Sequence, residues 1–515
     1  MRTKNSVINS AVSLFSYALL FFGPFFVTPA LAILGENIVG IQKTFSDIVS
    51  LLSVVELGIS FGIIYKLYKP IADENFKKVA VLLNFYKKAF KIVSCIIFAL
   101  GFITAFFIPL IVPAKYISGV VSDFWLSSVF MLYVFDTIAT YLFGHERAML
   151  IADQKNYVVN ICRTGCQLLM FILQIAVIYI FKSFSLYVVV KLSFTVLESL
   201  IIHFQYKRRY SYIDLKTSDK LSDWEKTDLF KNLGALFYHK VGYQSLTSFS
   251  TVIMTNKLGE AVTGMYYPYT VITSGLMRVT DQIFSSILSS FGNLLAKATK
   301  VEVFNVYKKI YFLNHLIFSF FSVSLFCLLV PFISLWMGGS YILPTNTILL
   351  ITLNLYVLGM RQSITMVKNS AGLYRPDRYF ALLESLINIV LAFFLVQKLG
   401  LNGILWANLI SSILIPFWTQ PYIVYTNVFN KSVLSYYKKY AIYFFITVIS
   451  GFITFYCCSF FVYSGFIKVL INAIICVIIP NTINIIIFYR SEEFKYLVKI
   501  VKSIVSNITR KKEAQ

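Results

Sequence analysis

Charge is scarce in this sequence. Only 13% of its 515 residues are charged, against about 25% in an ordinary globular domain, and 58% are hydrophobic. That shortage excludes a water-soluble fold. Cysteine offers no framework either: all seven (Cys95, Cys162, Cys166, Cys327, Cys457, Cys458 and Cys476) lie inside apolar runs. They read as small packing residues, so neither a disulfide scaffold nor a metal site is expected. The four scattered histidines form no His/Cys/Asp group at ligand spacing. No cofactor is expected. No supposed external loop exceeds about a dozen residues, which leaves an extracellular catalytic domain nowhere to sit.

What the chain has in abundance is apolar runs long enough to cross a bilayer, which takes about 20 residues. Hydropathy places them near 7–33, 44–65, 90–112, 122–144, 157–181, 184–205, 230–256, 262–292, 310–337, 345–371, 379–398, 402–425, 440–463 and 466–489. The first is too long for a signal-peptide core and lacks a clear cleavage site. The expectation is therefore an all-α integral membrane protein with about fourteen spans. Residues 1–205 form a first six-helix lobe, 206–229 a cytoplasmic linker and 230–425 a second lobe. An extra helix pair follows in 440–489, and 490–515 is a basic tail.

Basic residues test this topology, because cytoplasmic loops collect Lys and Arg. With the N-terminus inside, thirty-four of the 46 fall on inside segments, six on outside loops and six within spans. Both termini are accordingly expected in the cytoplasm. The net charge of +23 becomes a topology signal and an attraction to anionic lipid, and nucleic-acid binding is not expected. In the tail, Phe494, Leu497, Val498, Val501, Ile504, Val505 and Ile508 keep helical spacing among lysines, as an amphipathic anchor on the inner leaflet would.

The chain also repeats itself. Leu34-Gly-Glu-Asn-Ile-Val-Gly40 and Leu258-Gly-Glu-Ala-Val-Thr-Gly264 share one pattern 224 positions apart, each at a turn between two spans. Ala152-Asp-Gln-Lys-Asn-Tyr157 is loosely echoed by Ala371-Gly-Leu-Tyr-Arg-Pro-Asp-Arg-Tyr379. Internal symmetry between two hydrophobic halves is a signature of transporters.

Ionisable residues inside spans mark pathways by default. The basic ones are Arg163, Lys191, Lys240, Arg278, Arg361 and Lys368; the acidic ones are Glu56, Asp136, Glu198, Asp281 and Glu384. Arg278 and Asp281, three apart on one helix, are expected to pair. Arg163 and Lys368 lie near the cytoplasmic end, where they either snorkel to headgroups or line a cavity. Lys240 and Arg361 lie deeper and have no acid three or four positions away. Either they face a cavity, or they pair across helices with Glu56, Asp136 or Glu384. Buried cations suit an anionic ligand, Arg through a bidentate fork and Lys as a point charge. Arg361 and Lys240 are the leading candidates for a phosphate-bearing substrate, with Arg163, Arg278 and Lys368 as weaker members.

Leu236-Phe-Tyr-His-Lys-Val-Gly242 followed by Leu258-Gly-Glu-Ala-Val-Thr-Gly-Met-Tyr266 resembles the seventh and eighth helices of bacterial polysaccharide flippases, members of the multidrug/oligosaccharidyl-lipid/polysaccharide exporter superfamily. Ser290-Phe-Gly-Asn-Leu-Leu-Ala296, Pro331-Phe-Ile-Ser-Leu-Trp-Met-Gly338, Leu386-Ile-Asn-Ile-Val-Leu391 and Gly400-Leu-Asn-Gly403 continue the likeness. The resemblance implies two six-helix lobes plus a helix pair, a cavity opening alternately to either side, and a bacterial plasma-membrane location. It implies as substrate an oligosaccharide on undecaprenyl diphosphate, with a polysaccharide polymerase and glycosyltransferases as protein partners. Thr247-Ser-Phe-Ser-Thr251 lacks the acid that close relatives often carry there, which puts ion coupling through such a residue in doubt. Two other functions remain: export of a drug or organic cation on the same fold, which calls for free carboxylates, and polysaccharide polymerisation, which calls for catalytic acids on an external loop.

Overall fold

Backbone N–H and C=O groups in hydrocarbon must be satisfied within the protein, so a chain this apolar is driven into helices. The computed structural model describes residues 22–56, 59–112, 122–215, 221–460 and 464–513, with positions 12 and 16. Among these the chain is helical, with no strand. Ten helical stretches among the described residues are long and apolar enough to cross a membrane. This is a multi-pass membrane protein.

Four of the fourteen expected spans are not among those ten, each for a visible reason. The first falls largely on residues outside the described ones; its described part is a short helix, α1 (Phe22–Ala32). The second is divided into α2 (Glu36–Leu52), a single 3₁₀ turn (Ser53–Glu56) and α3 (Ile59–Ala72). The other two, α9 (Asp223–Leu258) and α10 (Glu260–Lys297), run 36 and 38 residues, but Ser, Thr, Tyr and Gln punctuate their apolar sequence.

Several helices outrun the membrane. α4 (Phe76–Ile111) has 36 residues, about 54 Å at 1.5 Å per residue, against a hydrocarbon core of about 30 Å. It begins not near residue 90 but at Phe76, where the Asn75 side chain accepts the Lys78 backbone N–H at 3.0 Å. Likewise α11 (Lys300–Trp336) starts at a Thr299–Glu302 capping box, ahead of its apolar run. Much of the basic sequence expected in loops therefore lies on helix extensions.

The remaining helices are α5 (Asp123–Leu142), α6 (Gly144–Ala152), α7 (Asn156–Phe181), α8 (Phe184–Arg209), α12 (Thr345–Met360), α13 (Gln362–Ser370), α14 (Phe380–Leu399), α15 (Leu401–Leu414), α16 (Pro416–Val424), α17 (Leu434–Ser459), α18 (Gly465–Phe488) and α19 (Glu492–Glu513). They gather into two units, residues 1–271 and 272–515. The division falls within α10, away from the 206–229 linker, because α9 packs on α2 and α3. In the first unit α4 packs on α5, α7 on α8, and α5 on α8. In the second, the same three pairings recur seven helices later: α11 on α12, α14 on α15, and α12 on α15.

Each unit has its own core. In the first, Phe45 of α2 is buried edge-on against Phe130 and Tyr133 of α5, at ring separations of 5.3 and 5.8 Å. The second is organised on α11, whose Tyr307, Tyr311, Asn314, His315 and Phe318 are buried. Its neighbours are α12, α17 and α18.

The tail helix α19 does not only lie on lipid. Phe494 and Leu497 pack against the core of the second unit, and Lys439 donates to Glu493 at 2.7 Å. Burial pushes the Glu493 carboxyl up, but the hydrogen bond and charge of Lys439 outweigh it and leave it below its ordinary value. Such a carboxylate stabilises docking above the ordinary carboxylate range and loses its effect as pH falls through the folded value. The exposed ion pair contributes about 0.5 kcal/mol, and the two apolar side chains about 1.5–3 kcal/mol each when fully buried. Leu497→Asp should therefore free α19 to proteases at neutral pH, whereas Lys439→Ala should do so only weakly. Equal protection in wild type and Leu497→Asp would show that lipid, not the protein, holds this helix.

Candidate functional site

Two helices are interrupted at corresponding places. α5 ends at Leu142, Phe143 departs from helical geometry, and the nine-residue α6 follows. α12 ends at Met360, Arg361 intervenes, and the nine-residue α13 follows. An interruption releases backbone groups from the helix ladder, and matched interruptions in two repeats point to a substrate site. In the second unit the freed carbonyls are met from α11. Asn314 Nδ2 donates to Gly359 O at 3.2 Å and to Met360 O at 2.9 Å. Arg361 follows these carbonyls, at the negative end of the α12 dipole. A second break in this unit falls at Ile415, where Pro416 begins α16.

The membrane ion pairs gather around these breaks. In the first unit, Lys191 of α8 meets Asp136 of α5 at 3.1 Å, Thr195 donates to the same carboxylate at 2.6 Å, and the lysine lies over the Tyr133 ring. Arg147 of α6 meets Glu198 of α8 at 2.9 Å. Glu146 of α6 meets the His203 ring at 2.8 Å. Half-buried Lys240 on α9 feels the charge of Glu56. In the second unit, Arg361 Nη1 reaches Glu384 of α14 at 3.4 Å and Ser412 of α15 at 3.2 Å. Lys368 of α13 is buried in an ion pair with Asp377, and Gln362 donates to Asp281 of α10 at 2.8 Å.

Three sequence expectations change here. Arg361 is not unpaired: the cross-helix alternative holds, with Glu384 as partner. Lys368 neither snorkels nor stands free, because Asp377 meets it nine residues on, across the turn after α13. Arg278 and Asp281 do not pair with each other; Asp281 takes Gln362, while Arg278 is exposed and has no ion partner among the described residues. Arg163 is likewise exposed and without one. Hydropathy missed Arg147 and Asp377 because both lie at span ends, where a charge attracts no notice.

The duplicated turn forms the second element. Gly35 and Gly259 adopt φ of 102° and 90°, open to glycine without strain. Gly40 and Gly264 then bring α2 and α10 into backbone contact, both within the first unit. A Cβ added at Gly40 would lie 1.9 Å from the Glu260 carbonyl oxygen, and one at Gly264 would lie 1.9 Å from the Glu36 carbonyl oxygen. This contact is reciprocal, as a local two-fold relation between the copies requires. Hydroxyls extend it along α2 and α9. Thr44 and Thr255 are 2.6 Å apart, Thr255 and Thr263 2.9 Å, and Thr251 donates to Asp47 at 2.6 Å. The charge pattern assigns this end to the outside.

No protein-family model matches the chain, and no curated protein matches it. Solved structures do. A lipid II flippase, MurJ, in an inward closed conformation is similar at a TM-score of 0.64 and 15% identity, covering 94% of this chain and 99% of that one. An inward-facing multidrug resistance MATE family transporter of the MOP superfamily is similar at 0.61 and 12% identity, covering 81% and 98%. The Vibrio cholerae MATE transporter VcmN is similar at 0.56 and 10% identity, covering 83% and 100%. At these identities the likeness is one of fold: the chain has the fold of these transporters.

A single methyl group at the reciprocal contact has nowhere to go. Gly264→Ala should part α2 from α10 and lower oxidative cross-linking of a Thr44→Cys/Thr255→Cys pair, in protein whose native cysteines are replaced, by an order of magnitude. Undiminished cross-linking would show that the contact is not the one that holds these helices together.

Proposed function

We propose that this chain is a flippase. It carries undecaprenyl-diphosphate-linked oligosaccharide repeat units from the inner to the outer leaflet of a bacterial plasma membrane, by alternating access, for capsule or another surface polysaccharide. Fourteen spans with both termini cytoplasmic belong to this reading, as do a polymerase and glycosyltransferases as partners. The fold shared with a lipid II flippase over nearly the whole of both chains supports it.

Charge balance is the observation that carries the choice of substrate. Asp136, Glu198, Glu384 and Asp377 each have a cation, so what remains over is positive: Arg163 and Arg278. Surplus cations favour an anionic headgroup. A cationic drug, the second reading and the one the MATE neighbours favour, would need a carboxylate that these pairs do not leave open.

Among the paired cations, Arg361 is the one held loosely. Its 3.4 Å contact is long beside the 2.7–2.9 Å or so of a strong charge-assisted bond, and both its contacts use Nη1. A diphosphate could take the rest of the fork and displace Glu384. Lys368, buried with Asp377, is a structural pair. Arg361 and Lys240, with Arg278 and Arg163, are the proposed headgroup ligands, and Glu56, Asp136 and Glu384 the acids that neutralise the site when it is empty.

Arg361→Gln should abolish most export, since removing one partner of a desolvated charge contact costs about 2–5 kcal/mol. Arg361→Lys keeps the charge without the fork and should fall between. Glu384→Gln should leave export near normal. Rescue of Arg361→Gln by Glu384→Gln would replace the ligand role with a purely structural ion pair. Resistance to cationic dyes that depends on the chain, with normal distribution of lipid-linked sugar in its absence, would favour the drug exporter.

Energetics give a separate test. Moving negative charge outward against an inside-negative potential releases about 2.3 kcal/mol per charge for each 100 mV. Flipping in proteoliposomes should continue when proton and sodium gradients are abolished at clamped voltage. Its loss under those conditions would assign the drive to an ion gradient.

A further inference from the structure

The seven cysteines are not all isolated packing residues. Cys327 of α11, Cys458 at the end of α17 and Cys476 of α18 converge, with their sulfur atoms all within 4.8 Å of one another. All three are buried, at 6%, 6% and 1% exposure. They form a small cluster of their own, ringed by Phe326, Leu328 and Ile475. We propose that these three thiols form a binding site for a single soft monovalent metal ion, Cu(I), that ties the α17–α18 pair to α11.

Three considerations select the ion. Sulfur ligands prefer soft metals, Cu(I) and Zn(II) foremost, over calcium, magnesium or manganese. A metal–sulfur bond of about 2.3 Å places three ligands of one ion about 4 Å apart, which the cluster reaches with small rotamer shifts. Structural zinc, by contrast, takes four ligands, and the described residues supply three here. Charge decides the rest. The surroundings are apolar, and a net charge there is costly. Cu(I) entering as one thiol releases its proton to solvent gives one thiolate, two neutral thiols and one monovalent cation, so the site stays neutral. Zn(II) would need two thiolates to do the same and would still lack a fourth ligand. No redox step is involved: the copper enters and remains as Cu(I), and the sulfurs stay reduced.

The consequence is mechanical. α17 and α18 lie beyond the two copies of the repeated helix pattern, and α11 is the helix on which the second unit is organised. An ion shared by all three fixes the added pair to that unit. Loss of any one sulfur should therefore weaken both binding and the stabilisation that binding brings.

The test uses full-length protein in nanodiscs, kept reduced and titrated with Cu(I) against a competing chromogenic chelator. One ion per chain should bind. X-ray absorption should show sulfur-only coordination by three ligands at about 2.3 Å, and the thermal midpoint should rise. Cys327→Ser, Cys458→Ser and Cys476→Ser should each lower affinity at least tenfold, whereas Cys457→Ser, next in sequence, should not. Either of two results overturns the proposal: no stoichiometric binding by protein with all three thiols titratable, or binding unchanged by the three substitutions. A fully bound Zn(II) with four ligands would overturn the choice of ion. Because none of these readouts uses transport, the result stands apart from the flippase reading.

Discussion

A charge in hydrocarbon must find a counter-charge, and the way this chain meets that demand positions much of the rest. Lys191–Asp136 ties α8 to α5, Arg147–Glu198 ties α8 to α6, and Arg361–Glu384 ties α14 to the end of α12. Each joins helices distant in sequence within one unit. Such pairs are weak evidence of net stability, because desolvation offsets most of the Coulomb gain, but breaking one leaves an uncompensated charge at about 3–5 kcal/mol. They act as registers. α8 cannot slide along α5 and α6 without parting two pairs at once.

Interrupted helices are the second constraint, and they explain where those pairs sit. An unbroken helix presents no backbone to a ligand. At Arg361 two carbonyls leave the ladder, and Asn314 takes both with one amide group. Gly359 lets α11 come that near, since a Cβ there would meet the Phe318 ring at 2.0 Å. Glycine, asparagine and arginine within one short stretch thus make a single device: close approach, satisfied carbonyls, and a cation at the negative helix end.

How much of this could be read in the sequence follows from what hydropathy measures. Apolar runs announced the membrane helices, and the recurring Leu-Gly-Glu-x-x-x-Gly stretch marked the turns whose glycines meet. Hydropathy could not see that α4 starts at Phe76 or α11 at Lys300, because caps such as Asn75 and Thr299 are polar and local. Nor could it see the interruption at Phe143, which no proline or glycine precedes in α5. Arg361 was visible as a buried cation. Its partner was not, because Glu384 lies 23 residues away on another helix and only packing decides between it, Glu56 and Asp136. The three-thiol cluster was hidden for the same reason: its members are spread over 149 residues, and each alone looks like a small apolar side chain.

Strength of contact also separates what must stay from what must move. The reciprocal glycine contact is backbone against backbone, continued by threonine hydroxyls. Each such bond contributes about 1 kcal/mol net and is readily exchanged for water when the helices part. The one ion pair in this region, Lys43–Asp47, lies along α2 itself and survives separation. Opening at this end therefore leaves no buried charge unpaired, whereas shearing α8 from α5 and α6 would leave four charged groups bare. A transporter needs two states within a few kcal/mol of each other. The hydroxyl and glycine seam meets that requirement, and the ion-paired helices do not. The duplicated stretch is thus the part of the first unit best suited to open and close while the ion-paired helices move as one body.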